Sequence, residues 1–227
     1  MKNKNIFLAL DTKNINEALD IAKQVKDSVA GIKLGLEFFS ATGPDGVKKI
    51  SKLNIPIFLD LKYLDIKNTI IKSIKSLEGL PIKYLSIHTL NGKETLIEAK
   101  KTANELKQPI KLLGITILTS FSEKNLSEIG FNNSMNQQVE ILATLAQTAK
   151  LDGIVCSPHE ISFVKNICKN MDIFTPGIRL KKNEDDQKRV MTPAEALKAG
   201  ASFLVIGRPI TDGNPKKNIE SIINSLS

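Results

Sequence analysis

Ile55-Pro-Ile-Phe-Leu-Asp-Leu-Lys-Tyr-Leu-Asp-Ile66 is the stretch on which the reading of this chain turns. Its first half, Ile55-Pro-Ile-Phe-Leu59, is apolar, β-branched and aromatic, the composition of a strand buried on both faces of a parallel sheet. Its second half then places Asp60 and Lys62 in the same run. Side chains alternate across a strand, so a carboxylate and an ammonium two residues apart project from the same face. Asp65 follows three residues on, where the strand turns into a loop. Buried charge is costly unless paired, so the pattern reads either as a structural ion pair or as chemistry held at a strand end.

Outward from this stretch, short apolar runs alternate with amphipathic segments along the whole chain. The pattern predicts strands over 6–11, 31–35, 55–62, 84–89, 112–119, 153–157, 173–177 and 203–207. Helices are predicted over 15–25, 45–53, 68–77, 93–106, 137–148, 161–170, 193–199 and 216–226, with Thr192 before Pro193 as one cap signal. No composition break or Pro/Gly/Ser-rich linker divides them. Eight β-then-α units imply a parallel sheet, and residues 1–227 fit one single-domain α/β fold, a (β/α)8 TIM barrel. A doubly wound open sheet is the competing fold. It is disfavoured because no glycine-rich dinucleotide fingerprint follows the first strand.

A barrel puts functional residues at the C-terminal ends of its strands. Asp11 ends the first predicted strand, Lys33 lies late in the second, Asp60 and Lys62 end the third, and Thr119 ends the fifth. Gly177 and Arg179 follow the seventh, and Gly207 and Arg208 the eighth. Loops after strands seven and eight are where barrels hold phosphate. Arginine offers a planar fork to its oxygens, and glycine lets backbone N–H groups approach. The charged stretch from Leu180 to Arg189 is either a lid or a solvated turn, with Gln187 as its best phosphate-facing donor.

Composition excludes other classes. The net charge of +8 comes from lysines scattered among acidic residues, and 5% aromatic content without Trp offers no base-stacking platform, so no nucleic-acid partner is expected. The surplus charge suits a solvated surface that draws in an anionic substrate. No apolar run approaches a membrane span, and Met1–Asn5 lead straight into a strand rather than a signal-peptide apolar region. A cytoplasmic protein without a membrane partner is expected. Cys156 and Cys168 read as packing residues. His88 and His159 lack metal-ligand spacing, so neither a metal nor an organic cofactor is expected, and His88 reads as a hydrogen-bonded structural residue.

The motif Asp60-x-Lys62-x-x-Asp65-Ile66 with Asn68-Thr69 resembles the signature of the orotidine 5'-phosphate decarboxylase family, in its bacterial form. The likeness extends through Leu8-Ala-Leu-Asp11, Lys33-Leu-Gly35, Leu118-Thr-Ser120, Pro176-Gly-Ile-Arg179, Gln187 with Arg189-Val190, and Ile206-Gly-Arg-Pro-Ile-Thr211. The resemblance implies cofactor-independent conversion of orotidine 5'-monophosphate to uridine 5'-monophosphate, the last step of de novo UMP biosynthesis. It implies Lys62 as proton donor to C6 and Asp60 beside the departing carboxylate, within an alternating network of Lys33, Asp60, Lys62 and Asp65. It further implies a homodimer in which Asp65, Ile66 and Thr69 enter the partner's site. Asp11 and Lys33 would contact the ribose, Thr119 the pyrimidine, and Gln187, Arg179 and Arg208 with Gly207 the phosphate. Leu64 and Lys67 depart from the histidine and proline common in the family. Two other readings share much of the pattern. One is a magnesium-dependent sugar-phosphate decarboxylase or aldolase of the same barrel group; the other is a non-catalytic phosphate-ligand-binding barrel.

Overall fold

Each predicted apolar run forms a strand, and each predicted amphipathic run behind it forms a helix. The structure, a computed structural model, describes residues 5–180 and 191–226. The first half comprises β1 (Ile6–Leu10), α1 (Ile15–Val25), β2 (Gly31–Leu34), α2 (Leu36–Ser51), β3 (Ile57–Tyr63), α3 (Lys67–Lys75), β4 (Tyr84–His88) and α4 (Gly92–Glu105). The second comprises β5 (Lys111–Ile115), α5 (Glu123–Glu128), α6 (Met135–Thr148), β6 (Gly153–Val155), α7 (Ile161–Ile167), β7 (Asp172–Thr175) and α8 (Pro193–Ala199). It ends with β8 (Phe203–Ile206), α9 (Arg208–Thr211) and α10 (Pro215–Asn224). The strands close in chain order into a barrel, β8 pairing parallel with β1, and the helices surround it. Among the described residues no helix is long and apolar enough to cross a membrane.

Local chemistry sets the ends of these elements. The Asn14 side chain accepts from the Asn16 and Glu17 N–H groups to start α1. Thr192 and Glu195 form a reciprocal capping box around Pro193 at the start of α8, and Gly200 ends that helix in the left-handed region. The sequence pattern starts the second helix at residue 45, but α2 begins at Leu36. Gly43, at φ 58°, breaks the regular pattern, and Pro44 opens the second half, so the two halves read as separate segments. The predicted fifth strand also runs too far. β5 stops at Ile115, opposite Val155 where β6 ends, and the Thr116 hydroxyl donates to the Val155 carbonyl (3.1 Å). Thr119 therefore lies in the loop beyond β5.

Alternation along the strands divides the apolar residues into two layers. Ile57 and Leu59 of β3 point outward beneath the helices, while Phe58 points into the barrel. The interior near the N-terminal ends of the strands is packed with aromatic rings. Phe174 lies 5.2 Å from Phe7, 5.6 Å from Phe58 and 4.8 Å from Phe203, centroid to centroid. Gly31 makes room for this packing, since a Cβ there would sit 2.3 Å from the Phe7 ring and 2.6 Å from the Pro56 carbonyl oxygen. This plug closes one end of the barrel and leaves its other end for the polar side chains. Phe174→Ala should cost about 3–5 kcal/mol in stability. Urea unfolding of the variant and wild type at neutral pH measures it.

Candidate active site

Asp60 and Lys62 rise from β3 into a cavity of about 490 Å³ at the C-terminal end of the barrel. The same cavity is lined by Asp11, Lys33, Thr119, Arg179, Gly207 and Arg208. Asp11 follows β1, Lys33 is the third residue of β2, and Arg208 is the first of α9. The barrel thus brings together residues far apart in sequence, each at or near the end of a different strand.

Their charges alternate. The Lys33 ammonium lies 3.1 Å from Asp11 Oδ1 and 3.7 Å from Asp60 Oδ2. Lys62 Nζ donates to Asp60 Oδ2 at 2.9 Å. Asp60 is buried, and burial pushes its carboxyl pKa up. The Lys33 and Lys62 charges, with hydrogen bonds from Lys62 and Ser86, outweigh burial and hold it below its ordinary value. Gly35 keeps space beside this row: a Cβ there would lie 2.7 Å from Asp11 Oδ1 and 3.0 Å from Lys33 Nζ.

Strict strand geometry does not by itself produce the Asp60–Lys62 pair. Lys62 sits at φ 50°, in the left-handed region, and the β3–β4 register shifts between Leu59 and Tyr63. A non-glycine residue there costs about 1–2 kcal/mol, and such strain is common at functional sites. The Lys62 N–H donates to Ser86 Oγ (2.8 Å), and Ser86 Oγ donates to Asp60 Oδ1 (2.8 Å). Ser86 escaped the sequence reading because a lone serine in an apolar strand carries no motif. The available signal was its parity: Ser86 stands two residues from the inward-facing Tyr84, on the strand beside β3.

Across the cavity, Gly177 turns the chain at φ 80° and Arg179 is buried beside it. The Arg179 N–H donates to the Met191 carbonyl (3.1 Å), the Met191 N–H donates to the Gly177 carbonyl (3.3 Å), and Arg179 Nη1 donates to the Ile178 carbonyl (2.9 Å). These bonds fix the arginine where the chain leaves for residues 181–190. Gln187 and Arg189, the other candidates from this loop, lie outside the described residues. Cys156, read from sequence as a packing residue, is buried but also reaches the cavity wall.

Asp65, Ile66 and Thr69 are not brought into this cavity. Asp65 Oδ1 accepts from the Ile66 N–H, and the Asp65 N–H donates to Asn91 Oδ1. Asn91 Nδ2 also donates to the Tyr63 and His88 carbonyls, both at 2.8 Å, tying the β3–α3 loop to the β4–α4 loop. Asn91 is another residue the sequence reading passed over. Lys67, one of the two family departures, pairs with Glu94 at the start of α4. Among the described residues no three His, Cys, Asp or Glu side chains group as metal ligands.

A closed parallel barrel with a charged cavity at the C-terminal ends of its strands is the architecture of a (β/α)8 enzyme. The chain belongs to the orotidine 5'-phosphate decarboxylase / HUMPS family, whose sequence model matches residues 4–222. It is 45% identical over 224 residues to the orotidine 5'-phosphate decarboxylase of Wolbachia pipientis subsp. Culex pipiens (strain wPip), covering 98% of each chain. It is 43% identical over 224 residues to that of Ehrlichia canis (strain Jake), covering 98% of this chain and 97% of the relative. The crystal structure of orotidine 5'-phosphate decarboxylase from Lactobacillus acidophilus superposes with a TM-score of 0.84 at 33% identity, covering 99% of both chains.

His88, at the end of β4, bears on how the fold around this site responds to acid. Its Nδ1 accepts from the Leu90 N–H (3.3 Å), which requires the neutral ring. Burial, with the nearby Lys62 charge, lowers its pKa from 6.5 to about 4. Above pH 6.5 the ring is neutral in both folded and unfolded chains, and its contribution is complete. Between 6.5 and about 4 only the unfolded chain takes up the proton, so stability falls with pH. The Asp60 contribution is likewise lost on acidification, at still lower pH, as its depressed folded-state pKa is crossed. His88→Asn should flatten the decline in urea midpoint between pH 6.5 and 4. An unchanged slope would assign that decline to other groups.

Proposed function

We propose that this chain decarboxylates orotidine 5'-monophosphate to uridine 5'-monophosphate. The observation that carries the reading is the row Asp11–Lys33–Asp60–Lys62, facing Arg179 and Arg208 across one cavity. The arginines, with Gly207 and with Gln187 from the loop, hold the phosphate. Asp11 and Lys33 hold the ribose, and Thr119 lies by the pyrimidine. The bond from C6 to the carboxylate carbon breaks with its electron pair left on C6, and carbon dioxide departs. That pair lies in the ring plane with little π delocalisation, so fixed positive charge has to meet it. The Lys62 ammonium both stabilises it and delivers the proton. Asp60, beside the substrate carboxylate, raises the energy of the bound ground state by like-charge repulsion, which is relieved as the carboxylate leaves. Phosphate binding offsets that repulsion, linking a remote grip to chemistry at the base. This mechanism draws on no metal or organic cofactor.

The site is completed across a homodimer. Residues 64–69 are six consecutive exposed positions, with Leu64 53% and Ile66 73% exposed, and Leu36 and Leu90 are exposed as well. Exposed apolar side chains of this kind suit a subunit contact. In the dimer Asp65 extends the charge row of the partner, with Ile66 and Thr69 alongside. Within its own subunit Asp65 makes no ion pair among the described residues.

Loss of orotidine 5'-monophosphate absorbance in excess EDTA tests the reaction. Turnover to uridine 5'-monophosphate is expected. A folded protein inert to this nucleotide but active on a sugar phosphate with magnesium would overturn the reading. Lys62→Ala should remove nearly all turnover, at least about 10⁴-fold, with dimerisation retained. Mixed dimers of Lys62→Ala and Asp65→Ala subunits should regain activity, because one of their two sites holds both residues. Inactive mixed dimers would place the whole site within one chain.

A further inference from the structure

We propose that Ser86 is a positioning residue that sets the geometry of both the carboxylate and the proton donor through one hydroxyl group. The inference rests on the decarboxylase reading and adds to it a residue that does not line the substrate cavity.

Ser86 is fully buried in the middle of β4. The β3–β4 ladder skips there: Leu59 pairs with Leu85 and Tyr63 with Ile87, so the three residues Asp60, Leu61 and Lys62 of β3 are set against Ser86 alone. The excess chain is the segment carrying Asp60 and Lys62. A bulge of this kind removes backbone groups from the ladder, and each buried N–H so released needs another acceptor. Ser86 Oγ supplies it for Lys62. Having accepted the N–H, the hydroxyl has one proton to give, and Asp60 Oδ1 receives it. The direction is unambiguous because a backbone N–H only donates.

Two consequences follow for the site. The Lys62 backbone is retained at φ 50°, which aims its side chain back over Asp60 rather than along the strand. Asp60 has Oδ1 occupied by Ser86, so its Oδ2 is the oxygen that meets both ammonium groups, Lys62 at 2.9 Å and Lys33 at 3.7 Å. A single hydroxyl therefore fixes the rotation of the carboxylate and the backbone of the donor. Among the described residues no other hydrogen bond to Asp60 Oδ1 or from the Lys62 N–H duplicates these two. Burial also supports a local role, since Ser86 reaches these two groups without touching the arginine side of the cavity.

The test compares Ser86→Ala, Ser86→Cys and Ser86→Thr with wild type, after wild-type turnover of orotidine 5'-monophosphate has been established. Failure of the wild type would sink the decarboxylase reading itself, so the two ideas fail separately. Ser86→Ala removes both bonds. Its kcat should fall on the order of 10²-fold, as for a small misplacement of reacting groups. Its affinity for uridine 5'-monophosphate, which lacks the reacting carboxylate, should stay within about 3-fold of wild type. The acid limb of its kcat–pH profile should move to higher pH, because Asp60 loses a hydrogen bond that favours its charged form. Ser86→Cys nearly preserves volume while weakening both bonds. It should fall between wild type and alanine, and it keeps the test decisive where alanine does not fold. Ser86→Thr, which restores the hydroxyl, should recover most of kcat. Wild-type kcat with an unmoved acid limb in both the alanine and cysteine variants would overturn the proposal. Parallel loss of kcat, product affinity and Tm in all three variants would overturn it too, by making Ser86 a packing residue.

Discussion

A carboxylate buried at the top of β3 is the constraint from which the rest of this site follows. Left alone, Asp60 would carry a desolvation cost of several kcal/mol, and its simplest escape would be to take up a proton. It is held ionised by two ammonium groups and a hydroxyl, which come from β2, β3 and β4. Those three strands must therefore stand in a fixed register. The barrel supplies that register, because a closed sheet has no free edge along which a strand can slip. The interdependence also runs outward. Lys33 needs Asp11 to share its charge, and Asp11 needs the space that Gly35 leaves open.

Opposite ends of the barrel interior solve different problems. Toward the N-terminal end, Phe7, Phe58, Phe174 and Phe203 interlock through tilted and edge-on contacts. Toward the C-terminal end the inward positions become polar, and β3 shows the change within a single strand, from Phe58 to Asp60 to Lys62. The apolar floor makes the charges above it interact more strongly than they would in water. It also bears the packing that the polar half cannot provide.

Much of this was legible in the sequence, because the two signals involved are local. Alternating β and α periodicity marked the barrel, and α1 and α8 fell on their predicted residues because Asn14 and Thr192 cap them. Charged residues interrupting apolar runs marked Asp11, Lys33, Asp60 and Lys62. What the sequence hid depends on neighbours. The end of β5 is set by the length of β6, so Thr119 was placed in a strand although it lies in a loop. The predicted second helix, starting at 45, matches the half of α2 that follows Gly43 and Pro44, while the short helical segment from Leu36 to Thr42 before them was missed. Ser86 and Asn91 act by reaching across to another strand or loop, and nothing in their own surroundings announces it.

The paired backbone bonds between Met191 and the Gly177–Arg179 turn bear on how this enzyme can diverge. They join the two ends of the intervening segment before it departs, so the position of Arg179 is set independently of the segment's length. Changing the number of residues in a tethered loop costs little, about 0.6 kcal/mol per doubling of a flexible one. Changes of length between 180 and 191 that keep Gln187 can therefore arise in a lineage without shifting the strands or the charge row. The placement of Arg179 and of the charge row is thus built from parts of the chain that are joined to one another directly, whatever sequence lies between 180 and 191.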